Sequence, residues 1–247
     1  NVLLAATAIG AAELWVTDFE AAKKTAAAEN KDLLVLFTGS DWCSWCKKLE
    51  REVFAKQEFQ NQAPAEFVLV MLDFPRRRQV PAEVKQARNA LKQKYKIRGF
   101  PTVALMNAEG EVYARTGYQA GGPQKYLDHL ADLKAKKGSD QKLLEQANAA
   151  TGIQKAELLD QWVKRRGELR LAVDHAKVYP QIIELDPHNK AGLKKTYETE
   201  LFMLELTADH HAILFFRHFV PIGIFRIFLP VVEENQHRLG RKEGKAF

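Results

Sequence analysis

Cysteine is almost absent: the 247 residues hold two, Cys43 and Cys46, and no third thiol. That excludes a multi-bridge disulfide scaffold, and the chain is long enough to bury a core without one. It also argues against structural zinc, which takes about four ligands. The seven histidines supply no matching set, since His210 and His211 are adjacent to each other and far from the cysteines. Disorder-promoting bias is lacking as well: 46% hydrophobic and 28% charged residues are the composition of a folded chain. No nucleic-acid-binding motif occurs. Glu13 to Gly138 carries 21 Lys and Arg against 16 Asp and Glu, and the remainder from Ser139 carries 16 against 15. The basic excess therefore sits in the first half and includes Arg76-Arg77-Arg78 beside Pro75. A basic run can bind nucleic acid or an anionic surface, but no aromatic residues interleave this one, and it reads as a solvated loop.

An uninterrupted membrane-length apolar run is missing too. Residues 212–232, AILFFRHFVPIGIFRIFLPVV, approach the length that spans a bilayer. Arg217, His218 and Arg226 sit inside that stretch with Pro221 and Pro230, and each central Arg costs roughly 2.5–3.5 kcal/mol on insertion scales. An interfacial or core-packing segment fits better, and membrane association would run through these residues alone. They belong to an apolar and basic tail, 207–247, of open structure. At the other end, Val2 to Ala12 (VLLAATAIGAA) is apolar and small, and Gly10-Ala11-Ala12 precedes Glu13. This resembles the remnant of a secretory signal peptide and points to a periplasmic or otherwise exported protein.

Between these ends the pattern alternates. Thr17 or Asp18 is a good N-cap for an alanine-rich helix that runs to Glu29. Leu33 to Phe37 (LLVLF) and Phe67 to Leu72 (FVLVML) are short continuous apolar runs, as expected of buried strands. Helical residues resume near Ser44 and continue through Val53. Pro81 to Lys96 reads as a helix with proline in its first turn. Pro101 to Met106 and Glu111 to Arg115 read as strands joined by the turn Asn107-Ala108-Glu109-Gly110, and Pro123 to Lys136 as a closing helix. Strands alternating with helices predict an α/β sheet with parallel pairs, to which the late hairpin adds an antiparallel edge. Beyond Gly138-Ser139-Asp140 the pattern is helical to Leu206, with turn signals at Thr151-Gly152, Pro180 and Asp186-Pro187. Ile182 to Leu193 resembles the inter-helix turn of tetratricopeptide-type repeats but occurs once.

The chemistry concentrates in Leu33 to Leu49, LLVLFTGSDWCSWCKKL. A spacing of three places Cys43 and Cys46 on one face of the first turn of a helix, directly after a buried strand. The free N–H groups and partial positive charge of a helix N-terminus favour thiolate over thiol, most strongly at Cys43. Cys43 is then the attacking sulfur, and Cys46, one turn in and more buried, the resolving one. Lys47 adds a nearby, screened positive charge. Independently, Gly99-Phe100-Pro101-Thr102 opens a strand about 55 residues after the dithiol. Proline lacks the donor a ladder needs, and either a cis Phe100–Pro101 peptide or a trans proline on an edge strand accommodates it.

Trp42-Cys43-x-x-Cys46-Lys47 together with Gly99-Phe100-Pro101-Thr102, in this strand order, resembles the thioredoxin superfamily. More narrowly, Phe37-Thr38-Gly39-Ser40-Asp41-Trp42-Cys43 looks like bacterial exported thioredoxin-like (thiol–disulfide interchange) proteins. The resemblance covers about half the chain, residues 13–137. It implies a thioredoxin-like fold, a central mixed sheet flanked by helices, with a small α-helical region at 138–206 following. It implies Cys43 as nucleophile, Cys46 as resolving thiol, Pro101 as a cis-proline facing them, and Phe100 as a substrate contact. Trp42 is expected to pack against the sheet, and Trp45 to be exposed as an apolar contact for substrate. Protein thiols and disulfides would be the substrates, with an unidentified electron donor or acceptor and no cofactor, metal or nucleic acid. Two departures stand out. Ser44-Trp45 replaces the Gly-Pro of thioredoxin, which leaves the direction of exchange open. Thioredoxin's buried carboxylate in the strand before the dithiol has no counterpart in Leu33 to Phe37; Asp41 and Asp73 are the alternatives, and each also reads as structural. The competing reading is a binding module whose cysteines form a static disulfide and whose helical region holds a partner.

Overall fold

The computed structural model describes residues 14–208. The leader-like stretch 1–12, the His210–His211 pair and the 212–232 segment lie outside these residues. The chain divides after Asp174 into two compact units.

In the first unit, α1 (Phe19–Glu29) begins where the Asp18 carboxylate accepts the Ala21 N–H, and ends at Asn30 in the left-handed conformation. The strands are β1 (Asp32–Thr38), β2 (Phe67–Asp73), β3 (Thr102–Met106) and β4 (Val112–Thr116), interleaved with α2 (Ser44–Leu49), α3 (Gln57–Glu66), α4 (Ala82–Lys94) and α5 (Gly122–Ala135). A π-helical turn, Glu50–Phe54, continues α2. The sheet order is β2-β1-β3-β4, with β1 parallel to β2 and antiparallel to β3. One strand pair of three is therefore parallel, fewer than the alternation predicts, because the crossover through α4 brings β3 in against β1 from the opposite end. The hairpin β3–β4 turns at Gly110, whose φ of 85° suits glycine.

Every residue of β1 is buried, as a central strand covered on both faces requires. Leu34 and Leu36 face Leu49, Val53, Phe54, Phe59, Tyr126 and Leu130, from α2, the π turn, α3 and α5. Leu33, Val35 and Phe37 face Phe19, Ala22 and Ala26 of α1 together with Tyr95 and Ile97. This is the mixed sheet flanked by helices that the resemblance implies. Val16 bridges the outer side of β2 at Val70, and the Leu169 carbonyl accepts the Arg115 N–H of β4, so both edges have partners.

Helices α6 (Ser139–Ala149) and α7 (Gly152–Glu168) complete this unit. Arg166 binds the Asp140 carboxylate at 2.6 Å between them, and Leu169, fully buried, enters the core beside Tyr126 and Leu130. The second unit is the pair α8 (His175–Leu185) and α9 (Leu193–Ala208). Pro180, read from sequence as a turn signal, lies inside α8. The turn that follows is built on Asp186, whose carboxylate accepts the N–H groups of Lys190, Ala191 and Leu193. No helix among the described residues is long and apolar enough to cross a membrane.

A candidate dithiol active site

The ends of β1 and β2 are partners in register, Thr38 opposite Asp73. Two loops leave the sheet side by side there, 39–43 toward α2 and 74–81 toward α4. Each of the three residues before Cys43 is tied to the end of β2 or to the loop that follows it. Ser40 donates its N–H (2.9 Å) and its hydroxyl (2.7 Å) to the buried Asp73 carboxylate, which also pairs with Arg78. Asp41 accepts the N–H groups of Arg76 (3.0 Å) and Arg77 (2.7 Å). The Trp42 indole N–H donates to the Phe74 carbonyl at 2.8 Å.

Cys43 is the N-cap of α2, and its Sγ accepts the Cys46 N–H at 3.2 Å. The two cysteines are disulfide-bonded, with Cα atoms 5.2 Å apart. They are buried almost equally, 7% and 5% exposed. The expected difference in burial is absent, and the two differ in that Cys43 alone holds the cap position.

The Phe100–Pro101 peptide is cis. Phe100 meets the Trp42 ring edge-on at 5.7 Å and Phe74 at 5.2 Å, which joins the prolyl turn to the dithiol loop. Trp42 thus packs on Phe100, Gly39 and the 74–76 loop. Trp45 is half-buried, not exposed: it lies against Tyr118 at 5.2 Å, with the Lys48 ammonium over both rings. Tyr118 follows Gly117, which lies against the Pro101 carbonyl so closely that a Cβ there would come within 3.2 Å of that oxygen. Trp42 links the dithiol loop to Phe100 of the prolyl turn, and Trp45, on the other side of the dithiol, lies against Tyr118.

Among acids, Asp32 opens β1 and binds Tyr113 and Lys137. It lies six residues from Thr38 along the strand, roughly 20 Å from the dithiol end, and so does not stand in for the buried carboxylate of thioredoxin. Asp73 is buried at the right end of the sheet, with Ser40 and Arg78 engaging it. Desolvation pushes the Asp41 carboxyl up, but the Arg76 and Arg77 N–H groups outweigh it and hold the acid below its ordinary range. Burial pushes the Glu50 carboxyl up. That residue lies one turn beyond Cys46 in the chain. The Tyr118–Glu52 hydrogen bond (2.5 Å) carried no signal in the sequence. No cluster of three potential metal ligands occurs among the described residues.

Comparison with known proteins gives the family. The thioredoxin-like domain family matches residues 19–134. The disulfide bond reductase DsbH of Chlamydia pneumoniae is 35% identical over 122 residues, 49% of this chain and 74% of that protein. The thiol:disulfide interchange protein DsbD of Vibrio cholerae is 30% identical over 118 residues, 47% of this chain but 18% of its own length. A solved structure titled DsbH oxidoreductase is 33% identical and covers 48% of this chain and 82% of its own, with a TM-score of 0.46. The chain belongs to the thioredoxin superfamily, among its bacterial thiol–disulfide proteins.

Proposed function

We propose that the protein is a thiol–disulfide oxidoreductase acting on exported polypeptides, with Cys43 as nucleophile and Cys46 as resolving thiol. The observation that carries this reading is the Cys43–Cys46 disulfide at the N-cap of α2, its first sulfur already facing a backbone N–H, beside a cis prolyl turn. In the reduced protein that N–H and the helix terminus favour a Cys43 thiolate. The thiolate attacks one sulfur of a substrate disulfide; a Cys43–substrate bond forms and the other substrate sulfur leaves as thiolate. Cys46 then attacks Cys43 Sγ, the mixed disulfide breaks, and the second substrate sulfur leaves. The substrate gains two electrons and two protons, and the protein is left with the disulfide seen here. A dithiol donor must return it to the reduced state. Phe100, Pro101 and Trp42 line the approach and Trp45 extends it. The likeness to a protein named a disulfide bond reductase supports the reductive direction. The signal-like residues 2–12 support an exported location, where disulfides persist.

Equilibration with glutathione tests the reading. A potential between about −270 and −120 mV is expected, as for catalytic dithiols. A value far below about −300 mV without exchange activity marks a static bridge and a binding module instead. Cys43→Ser abolishes reduction of a protein disulfide; activity surviving that change rules out the order given to the two sulfurs.

A further inference from the structure

The charge of this molecule is concentrated in one place. Phe74 to Arg98, between β2 and the cis prolyl turn, holds nine Lys and Arg (Arg76, Arg77, Arg78, Lys85, Arg88, Lys92, Lys94, Lys96, Arg98) and one acid, Glu83, a balance of 9 − 1 = +8. The whole chain is +6, so every other residue together amounts to −2. Elsewhere among the described residues nine of 22 Lys and Arg are ion-paired, as in Lys31–Glu29, Lys134–Glu66 and Arg166–Asp140, whereas among the nine of this segment only Arg78 is, to Asp73. Helix α4 buries no residue. Its start and the 74–80 loop enclose a cavity of about 380 Å³ lined by Arg76, Arg78, Lys85 and Arg88, with Asp73 as its one acid. The buried Arg88 Nε finds no hydrogen-bond partner among the described residues.

This basic arm is held against the dithiol. Asp41 and Trp42, the two residues before Cys43, bind its backbone at Arg76, Arg77 and Phe74. The Arg76 guanidinium lies on the Trp42 ring, 3.8 Å from its centre. At the far end the segment runs into Phe100-Pro101, with Lys92 over the Phe100 ring at 5.5 Å. A polypeptide whose disulfide reaches Cys43 therefore passes along unpaired cations on this side.

We propose that the arm 74–98 is a recognition surface for an acidic polypeptide segment flanking the disulfide presented to Cys43, a substrate class that rests on the exchange activity proposed above. Unpaired cations beside a reacting group raise the encounter rate of an acidic partner and select against a basic one. The position of the arm at the dithiol, rather than on a remote face, favours a polypeptide occupant over a lipid or nucleic-acid surface.

Two synthetic peptides test this, each closed by one disulfide and alike except that Asp and Glu beside the disulfide in one are Asn and Gln in the other. The second-order rate of their reduction by the reduced full chain is measured at low and high salt. At about 10 mM salt, where the screening length is about 30 Å, the acidic peptide reacts about ten-fold faster; at about 1 M the two rates converge to within about two-fold. In Arg77→Gln/Lys85→Gln, checked for native circular dichroism, the acidic-to-neutral ratio at low salt falls about three-fold, and in Lys85→Glu, which changes the charge by the same two units, it falls by a similar factor. These side chains touch neither cysteine nor Trp42, so the ratio reads recognition rather than the dithiol. If both peptides react equally at both salts, or the ratio survives the double variant, the inference is overturned while the exchange reading stands. If neither peptide reacts, the exchange reading fails and the inference with it. Retention on phosphatidylglycerol vesicles that the double variant loses, without preference between peptides, overturns the inference in favour of a lipid surface.

Discussion

Two tryptophans bracket the dithiol, and they are held in different ways. Trp42 donates to a backbone carbonyl, stacks under Arg76, meets Phe100 edge-on and fills the space over Gly39. Trp45 rests on another side chain, Tyr118, which is itself placed by Glu52. The first flank is anchored to backbone and continues into the basic arm; the second is side chain on side chain. A residue pinned by backbone sets the geometry of the nucleophile loop, whereas one that rests on movable side chains can adapt to what docks beside it. Trp42 is thus part of the frame and Trp45 part of the contact surface.

Trp42→Ala is the largest test of that difference. Deleting a fully buried Trp costs about 3–5 kcal/mol; Trp42 is half-buried but also hydrogen-bonded, so about 3 kcal/mol is expected. Trp45→Ala should cost about 1 kcal/mol, the scale of one aromatic contact and one exposed cation–π pair. Urea unfolding of the two oxidised variants gives the comparison directly. Equal losses would dissolve the distinction between the flanks.

Gly39→Ala comes next. An added Cβ would stand 2.5–2.7 Å from three atoms of the Trp42 indole. Real contacts are never that close, so the ring or the loop must move, and overpacking of this kind costs about 1–3 kcal/mol. Because the strain falls on Trp42, exchange activity should drop together with stability. If Gly39→Ala unfolds at the wild-type urea midpoint with full activity, Trp42 is not the rigid frame described.

Much of this frame was legible in the sequence. LLVLF and FVLVML announced β1 and β2 because a strand covered on both faces has no polar side to alternate with. The prolyl turn was legible because a proline opening an interior strand needs explaining. Helix α3 was not: QEFQNQAPAE buries only Phe59 and Ala63 and contains Pro64, so it shows no apolar stripe. The antiparallel entry of β3 was hidden because periodicity carries no strand direction. The ties from Ser40, Asp41 and Trp42 span 32 to 36 residues, and only the register of Thr38 with Asp73 brings their partners near. The burial of Leu169 was equally silent, since nothing in RGELRLAV separates a core leucine from a surface one. For the basic arm, the sequence displayed the charges but not how few of them are ion-paired or that the arm lies against Trp42.

The smallest test concerns Asp41, whose carboxylate holds the backbone of the Trp42 flank. Its pKa in the folded protein lies below the ordinary 3.8 because the Arg76 and Arg77 N–H groups outweigh the desolvation that pushes it up. The sign follows from linkage. Above the ordinary value both folded and unfolded states are ionised, and the carboxylate contributes its full stabilisation. As the pH falls below about 4 the unfolded chain takes the proton first, and the contribution disappears as the pH passes through the lower folded value. Asp41→Asn keeps an oxygen acceptor and removes the charge. The variant should therefore unfold at a lower urea concentration than wild type at neutral pH, with a gap that closes on acidification below about pH 4 and shrinks with added salt. Glu52→Gln makes the matching test on the other flank. There a Tyr118 hydrogen bond, the largest influence, holds the Glu52 carboxyl below its ordinary 4.5. Both gaps should close in acid, but only that of Asp41 should bring a change in Trp42 fluorescence, because only Asp41 acts on the backbone that carries the indole's acceptor. An equal change from Glu52→Gln would mean that the flanks are mechanically one.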